Sequence, residues 1–362
     1  WAVGLVLLAT VVAAEGLIGE RESERAWERA GNATAWWNGL NVPWNHFGYD
    51  VGTSSYNSTW FEEFYAACSA NHVNSARLWL HCDGRASPEF DSEGMVTGLS
   101  ESFLPQLREL VSMAEEHQVV LLVTLWSFDV CKWEAVNGLH PGVVGNATKT
   151  ESYILNALIP ILTDPELSSA SNLVFEIVNE PEWCIQETPA DTLVKIPLSD
   201  WQRFAAAVAD AVHQYSPHKV TLGSASLKWN SDRRPAVGNW WSDAALLAAC
   251  PSCTLGTLDF YQIHYYDWMY EDGYDPCQHD AAYWGLDKPT KVGELPADAG
   301  EYYEPLDFMN CVFTNQFVGT AFWSYNADYD WTAAVPAWNG FYGEHESICA
   351  YSALVQWLQE LA

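Results

Sequence analysis

Eight short apolar runs alternate with segments of helical periodicity along the 362 residues of this chain, and this alternation restricts its fold more than any other feature. Strands that alternate with helices predict βα units arranged around a parallel sheet. The run 173–177 is mostly apolar and β-prone, which is typical of a strand buried on both faces. The predicted strands span 37–42, 75–80, 119–125, 173–177, 219–222, 258–263, 290–292 and 320–322. The predicted helices span 59–71, 100–117, 150–162, 199–215, 242–249, 306–316 and 348–361, and Ser100 is the expected N-cap of the second.

Two topologies fit this order of elements: a closed (β/α)8 barrel and an open, doubly wound sheet. The open sheet usually carries a glycine-rich phosphate loop after its first strand, whereas here the first strand ends at Pro43-Trp44. The absence of that loop favours the barrel, which needs ~250 residues and leaves the remainder for long loops. No internal repeat or linker divides the sequence, so we expect one catalytic domain over 36–362.

The charge balance is strongly acidic, with 47 acidic and 16 basic residues and a net charge of −31. Such a surface repels nucleic acid and anionic membranes, so neither is expected as a partner. The 20 tryptophans suggest a neutral partner instead, because an indole face that is not needed in the core can stack on a sugar ring.

The first residues indicate secretion. The segment 1–14 has an apolar stretch and ends in the small residues Val12-Ala13-Ala14, so we expect the remnant of a signal peptide, with an anchoring helix as the alternative. A polar leader is expected over 15–35. Glycosylation sequons at Asn32, Asn57 and Asn146 agree with an extracellular location.

Nine cysteines are compatible with an oxidising compartment, where several should pair and at least one remains free. Cys250-Pro-Ser-Cys253 has the spacing of a redox or zinc pair, but the chain has no second Cys-x-x-Cys. A local disulfide between these two cysteines is therefore expected, and no metal.

Two glutamates follow predicted strands at the end where parallel barrels carry their active sites. Glu180 comes after the fourth strand in Asn179-Glu180-Pro181, and Glu294 comes after the seventh. A carboxyl group at an apolar mouth is partly desolvated, which raises its pKa and suits it to act as a general acid. Two such groups at one mouth are what glycoside cleavage requires. The alternative is that Asn, Glu and Pro are turn residues that end a strand.

Further polar and aromatic residues lie at strand ends on the same face. Arg77 is in the second strand, where an inward orientation would require a carboxylate partner. His264 and Tyr266 alternate at the end of the sixth strand and should share a face. Trp323 ends the eighth strand, where an indole would form the floor of a sugar site.

Together these residues resemble the motif set of glycoside hydrolase family 5, a family of retaining (β/α)8 hydrolases. The segments 74–81, 90–98 and 261–269 narrow the resemblance to the invertebrate type of β-1,4-mannanase, and the similarity extends over 37–361. Many family members carry a histidine after the third strand. The corresponding segment of this chain, 125–129, has no histidine, and the mannanases also tend to lack it. Gly293-Glu294-Leu295 also lacks the commoner aromatic residue after the nucleophile, which concerns the shape of the neighbouring subsite.

The resemblance implies a role for each catalytic residue. Glu180 is the acid/base and Glu294 is the nucleophile. Arg77 and Tyr266 keep Glu294 ionised by lowering its pKa, and His264 orients Glu180.

The resemblance also implies how the sugar is bound. Asn179 hydrogen-bonds the sugar 2-hydroxyl and Trp323 stacks under the −1 sugar. Trp44, His81 and Trp126 are candidates for the wall of the cleft.

The function that follows is a secreted, monomeric, retaining endo-β-1,4-mannanase that needs no cofactor and acts on mannan or glucomannan. One alternative is an endo-β-1,4-glucanase of the same family. Another is a non-catalytic polysaccharide-binding barrel, although the presence of both glutamates argues against it.

Overall fold

The computed structural model describes residues 35–132, 139–188, 194–233 and 235–361. The predicted signal remnant at 1–14, all but the last residue of the predicted leader at 15–35, and the sequon at Asn32 lie outside the described residues. Over the part that is described, no helix combines the length and apolarity that a membrane crossing requires.

The eight predicted strands form a closed barrel in which each strand pairs in parallel with the next along the chain, and the last pairs with the first. This confirms the (β/α)8 fold and excludes the open sheet. The strands are β1 (Trp37–Asn41), β2 (Ser75–Trp79), β3 (Val120–Ser127), β4 (Leu173–Asn179), β5 (Lys219–Ser224), β6 (Tyr261–His264), β7 (Thr290–Pro296) and β8 (Gly319–Trp323).

Helices lie between the strands, as the alternating pattern predicts. They are α1 (Ser58–Ala70), α2 (Phe103–Glu116), α3 (Gly142–Gly145), α4 (Ala147–Tyr153), α5 (Ile159–Leu162), α6 (Pro165–Ser169), α7 (Leu198–Tyr215), α8 (Asp243–Ala249), α9 (Asp267–Asp272), α10 (Pro305–Thr314), α11 (Val335–Cys349) and α12 (Tyr351–Glu360). Two short hairpins, Glu89–Phe90 with Val96–Gly98 and Asn230–Ser231 with Gly238–Asn239, lie outside the barrel.

Several predicted boundaries are wrong for identifiable reasons. The helix predicted over 150–162 is divided by a π-helical turn, Ile154–Leu158, because Pro160 has no N–H to continue the α-helical hydrogen bonds. Ser100 does not cap α2, since its hydroxyl donates to the carbonyl of Gly52 at 2.7 Å. The last predicted helix corresponds to α12 and the end of α11.

The floor of the barrel is apolar and closed. Trp37, Val120, Leu122, Val174 and Phe260 are buried together there. Leu354 and Leu358 of α12 cover this cluster from below. Each large apolar side chain buried in this way contributes ~1.5–3 kcal/mol. Because this cluster closes the floor, the large cleft of the barrel lies at the carboxyl ends of the strands.

Two disulfides lie on the outside of the barrel. Cys250 and Cys253 form the expected local bond, and Cys277 is bonded to Cys311 of α10. The other five cysteines are unpaired and buried: Cys68, Cys82, Cys131, Cys184 and Cys349.

Candidate active site

A cleft of about 510 Å³ opens at the carboxyl ends of the strands, and both predicted carboxyl groups line it. Eight of its 17 lining residues are aromatic, which suits a flat, neutral ligand. The aromatic lining residues are Trp44, Phe47, Trp79, Phe128, Trp183, Tyr266, Trp268 and Trp323.

Glu180 occupies the first turn after β4 in a left-handed conformation, with φ 49° and ψ 50°. A residue with a Cβ rarely adopts this geometry unless its surroundings impose it, and such strain is concentrated at functional sites. Here the N–H of Glu180 donates to the carbonyl of Gly223 at 2.6 Å, and Pro181 fixes the next φ. The backbone therefore directs the Glu180 side chain into the mouth of the barrel.

The side chain of Glu180 has one neighbour on each oxygen. His264 Nδ1 lies 2.8 Å from Oε1, and the indole N–H of Trp183 donates to Oε2 at 2.8 Å. Burial raises the pKa of Glu180 to about 7, against the opposing effects of the Trp183 hydrogen bond and the charge of Arg77. A carboxyl group with this pKa is protonated in a large fraction of molecules near neutral pH.

Glu294 lies inside β7, which extends four residues beyond its predicted end at 292. Arg77 donates from Nη1 to Oε1 at 2.6 Å, and the Tyr266 hydroxyl donates to Oε2 at 2.9 Å. Burial raises the pKa of Glu294, while His264, Arg77 and Tyr266 act to lower it. Arg77 and Tyr266 thus lower the pKa of Glu294 as expected, but desolvation outweighs them and the net shift is upward.

Arg77 satisfies its guanidinium entirely within the barrel. It binds Glu176 through two parallel bonds of 2.6 Å, from Nε and Nη2, in addition to its contact with Glu294. Its remaining donors reach the side-chain oxygens of Asn179 at 2.8 Å and Asn41 at 3.0 Å. An inward arginine was expected to require a carboxylate, and this one has two.

The two carboxyl groups are close together. Glu180, Glu294 and His264 each have one side-chain oxygen or nitrogen that could ligate a metal, and these three atoms lie within 4.8 Å of one another. Three such ligands have the spacing of a metal site, but the Arg77 guanidinium already places a positive charge 2.6 Å from Glu294 and would repel a cation. The arrangement fits proton transfer and nucleophilic attack better than metal binding.

No family model matches the chain. Individual relatives do. The chain is 28% identical over 319 residues to the mannan endo-1,4-beta-mannosidase of Mytilus edulis, which covers 81% of this chain and 84% of the relative. It is 26% identical over 317 residues to the mannan endo-1,4-beta-mannosidase of Cryptopygus antarcticus, with 81% of each covered.

Solved structures agree. The β-mannanase from the blue mussel Mytilus edulis superposes with a TM-score of 0.78 at 27% identity, over 85% of this chain and 91% of that one. The β-1,4-mannanase from the sea hare Aplysia kurodai superposes with a TM-score of 0.77 at 27% identity, over 85% and 92%.

The chain is a homologue of the invertebrate endo-1,4-β-mannanases. This confirms the resemblance to invertebrate-type family 5 mannanases that the sequence motifs indicate. These relatives are glycoside hydrolases, and the similarity covers both halves of the barrel.

The structure brings most of the sequence-predicted site residues of this mannanase homologue to one mouth. In addition to the residues around the two glutamates, Trp44 and Trp323 form one wall with Trp79. The ring of Trp323 lies 6.0 Å from that of Trp44 and 5.6 Å from that of Trp79.

Two predicted wall residues, His81 and Trp126, are not in the cleft. Both are fully buried, with ring centres 5.1 Å apart, and the Trp126 ring also packs against Tyr153 of α4. Trp126 pairs with Val178 across β3 and β4. Because its ring packs against His81 and against Tyr153 of a surrounding helix, Trp126 faces the helices and does not line the cleft.

The site also contains Trp183 and Glu176, which are not among the residues predicted from the sequence. A signal for Glu176 existed, because an acidic residue within a strand as apolar as 173–179 must be paired when it is buried. Trp183 follows Glu180 by three residues, and its contact with Glu180 depends on the 3₁₀ turn Pro181–Cys184. No periodicity of apolar residues in the sequence predicts this turn.

Proposed function

We propose that this protein is a retaining endo-β-1,4-mannanase that hydrolyses mannan or glucomannan by double displacement. The observation that carries the proposal is the spacing of Glu180 and Glu294, whose carboxylate oxygens approach within 4.8 Å in an aromatic cleft. Retaining glycosidases place their carboxyl groups ~5–5.5 Å apart, whereas inverting enzymes leave ~6.5–9.5 Å for a water molecule. The homology to invertebrate mannanases supports the substrate class.

In the first step, ionised Glu294 attacks the anomeric carbon while protonated Glu180 gives its proton to the departing glycosidic oxygen. The C–O bond to the leaving sugar breaks, and a covalent glycosyl-enzyme forms. Arg77 and Tyr266, which donate to Glu294 at 2.6 and 2.9 Å, hold the attacking carboxylate in place. Glu180 is suited to the acid role because burial raises its pKa to about 7.

In the second step, Glu180 is a carboxylate and takes a proton from water, whose oxygen attacks the anomeric carbon. The bond to Glu294 breaks and the configuration at that carbon is restored. His264 accompanies Glu180 through both states: burial lowers the pKa of His264 to about 4, so the ring is neutral. With its single proton on Nδ1 it donates to ionised Glu180, and with the proton on Nε2 it accepts from protonated Glu180.

The remaining residues act on the sugar. Arg77 binds the side-chain oxygen of Asn179, so the amide nitrogen of Asn179 is free to donate to the 2-hydroxyl in the −1 subsite. Trp323 offers an indole face beside Glu294 for the same sugar.

We also propose that the protein is secreted and acts as a monomer. Two disulfides and exposed sequons at Asn57 and Asn146 support an extracellular location. A net charge of −31 disfavours self-association.

The experiment is a comparison of reducing ends released from β-mannan, glucomannan and soluble cellulose by the purified protein. Release from both mannan-containing substrates with little from cellulose is the expected result. Preferential release from cellulose would replace the proposal with the glucanase alternative, and binding to these polysaccharides without release would favour a non-catalytic barrel.

A further inference from the structure

The turn after Glu180 bends back onto the glutamate that precedes it. Pro181–Cys184 is one 3₁₀ turn, in which the backbone N–H of Trp183 donates to the carbonyl of Glu180 at 3.3 Å. The same residue returns with its side chain, whose indole N–H donates to Glu180 Oε2 at 2.8 Å. Trp183 therefore donates hydrogen bonds to both the backbone carbonyl and the carboxyl group of Glu180.

This turn is anchored by a second buried glutamate, Glu182. Its carboxylate accepts from the Ser224 hydroxyl at 2.6 Å, from the Trp241 indole at 2.7 Å and from the backbone N–H of Ala225 at 3.0 Å. These donors tie the turn to the end of β5. The Trp183 ring also packs edge-on against Trp229, with centroids 5.7 Å apart, so its N–H has little freedom to point elsewhere.

We propose that Trp183 is a positioning residue for Glu180, which holds Oε2 toward the scissile bond and stabilises the carboxylate that forms when Glu180 has given up its proton. This inference rests on the proposed function, because it assigns Trp183 to the acid/base group of that reaction. Trp183 acts through Glu180, in addition to any stacking of its ring on a sugar.

The chemistry of indole supports this role. The indole nitrogen has one N–H and no acceptor, so it favours the ionised state of its partner and never competes for the proton. Glu180 must be an acid in one step and a base in the next, and a fixed neutral donor assists the second state without supplying a charge.

The other groups around Glu180 do not replace this contact. His264 faces Oε1, while the charges of Arg77, Asp129, Glu176 and Glu294 and the hydroxyl of Tyr266 act from neighbouring strands and loops. Among the influences that lower the pKa of Glu180, the Trp183 hydrogen bond is the largest.

The test is Trp183→Phe, which keeps an aromatic ring and removes the N–H. Without the N–H that favours the ionised carboxylate, the pKa of Glu180 should rise, so the basic limb of kcat/KM against pH should move upward by about one pH unit. The rate on mannan at the optimum should fall by about tenfold or more. The matched control is Trp268→Phe, which changes an indole that lines the same cleft 6.4 Å from Trp183 and should leave the basic limb in place.

Nuclear magnetic resonance supplies a readout that does not depend on turnover. In protein labelled with [¹⁵N]tryptophan, the Trp183 indole signal is identified by its loss in Trp183→Phe. We expect that signal to shift with pH around the pKa of Glu180, near 7, and to lose this titration in Glu180→Gln.

An unchanged basic limb in Trp183→Phe, or a Trp183 indole that does not titrate with Glu180, would overturn the inference while leaving the hydrolase proposal intact. A wild-type protein that cleaves no β-1,4-glycan would overturn the proposed function and the acid/base assignment with it. In that case the indole titration would still decide whether Trp183 controls the ionisation of Glu180.

Discussion

The two sides of the cleft hold chemically identical carboxyl groups in different surroundings. On one side, Glu294 accepts from the guanidinium of Arg77 and the hydroxyl of Tyr266. On the other, the hydrogen-bond partners of Glu180 among the described residues are the ring of His264 and the indole of Trp183, both neutral. Both glutamates are buried, so desolvation raises the pKa of each, and the charge of Arg77 opposes that rise at both. The difference is that Arg77 hydrogen-bonds Glu294 directly and acts on Glu180 only from a distance, which favours a nucleophile at Glu294 and an acid at Glu180.

The positive charge of Arg77 can be buried at this end of the barrel because two carboxylates balance it. Arg77 is balanced by Glu176 as well as Glu294, and the Glu176 carboxylate also accepts from the amide of Gln262 at 2.5 Å. A buried arginine with a single partner would leave donors unsatisfied, which costs about 1–3 kcal/mol per lost bond. The network therefore serves stability and catalysis together.

The largest effect should come from removing either glutamate. Glu180→Ala and Glu294→Ala should each lower kcat by several orders of magnitude on mannan. Azide should restore turnover of an activated aryl β-mannoside in both, with different products. In Glu180→Ala the nucleophile remains, so double displacement gives the β-azide; in Glu294→Ala azide attacks directly and gives the α-azide.

The anomeric configuration of each azide, determined by nuclear magnetic resonance, therefore identifies the role of each residue. Exchanged configurations would reverse the comparison between the two sides. Absence of rescue in both variants, with both proteins folded, would favour a non-catalytic barrel.

Replacing the planar guanidinium of Arg77 should have the next largest effect. Arg77→Lys keeps the charge but cannot bind two carboxylates in parallel, so kcat on mannan should fall by about 10²-fold or more. Because Glu176 also loses hydrogen bonds from the guanidinium, the free energy of unfolding should fall by ~2–4 kcal/mol.

Glu176→Gln is the matched control, since it weakens the same network but leaves Arg77 beside Glu294. It should lose stability with a smaller loss of kcat than Arg77→Lys, measured by denaturant unfolding and initial rates. Equal losses of kcat in both variants would mean that Arg77 acts as a structural ion-pair residue.

Trp323→Ala should have an intermediate effect. Stacking acts in the ground and transition states alike, so oligosaccharide affinity and kcat/KM should both weaken, by about tenfold or more. Trp126→Phe is the control, because Trp126 is buried behind the cleft and should affect thermal stability without changing affinity. Unaltered affinity in Trp323→Ala would place Trp323 in the core and outside the sugar site.

The smallest expected effect is the response of the unmodified protein to pH. Burial raises the pKa of Glu180 to about 7, and the acid must be protonated to act, so kcat/KM should decline as pH rises through about 7. Glu294 must be ionised, so activity should also decline at acidic pH. Initial rates across pH 4 to 9 measure both limbs; a basic limb unaltered in Glu180→Asp or set well below pH 6 would contradict the assignment.

The barrel was predictable because its strands are apolar runs bounded by turn residues. The same turn residues indicate where each strand ends. Glu180, Glu294, Arg77 and Tyr266 were found because parallel strands end at one face. The prediction failed at Trp126, whose ring is buried against His81 and Tyr153 behind the cleft.

The net pKa of Glu294 and the contact made by Trp183 were not predictable from the sequence. The first depends on how deeply the carboxyl group is buried, which outweighs the neighbours that the motifs reveal. The second depends on the left-handed conformation of Glu180 and on the turn that Glu182 anchors, neither of which has a sequence period.

The central claim, that Glu180 and Glu294 cooperate in a double displacement, is tested most directly by the anomer that the wild-type protein releases first. Proton nuclear magnetic resonance recorded within the first minutes of mannohexaose cleavage, before mutarotation, should show the β-anomeric signal of the new reducing end growing ahead of the α signal. Initial growth of the α signal would mean inversion and would contradict the account.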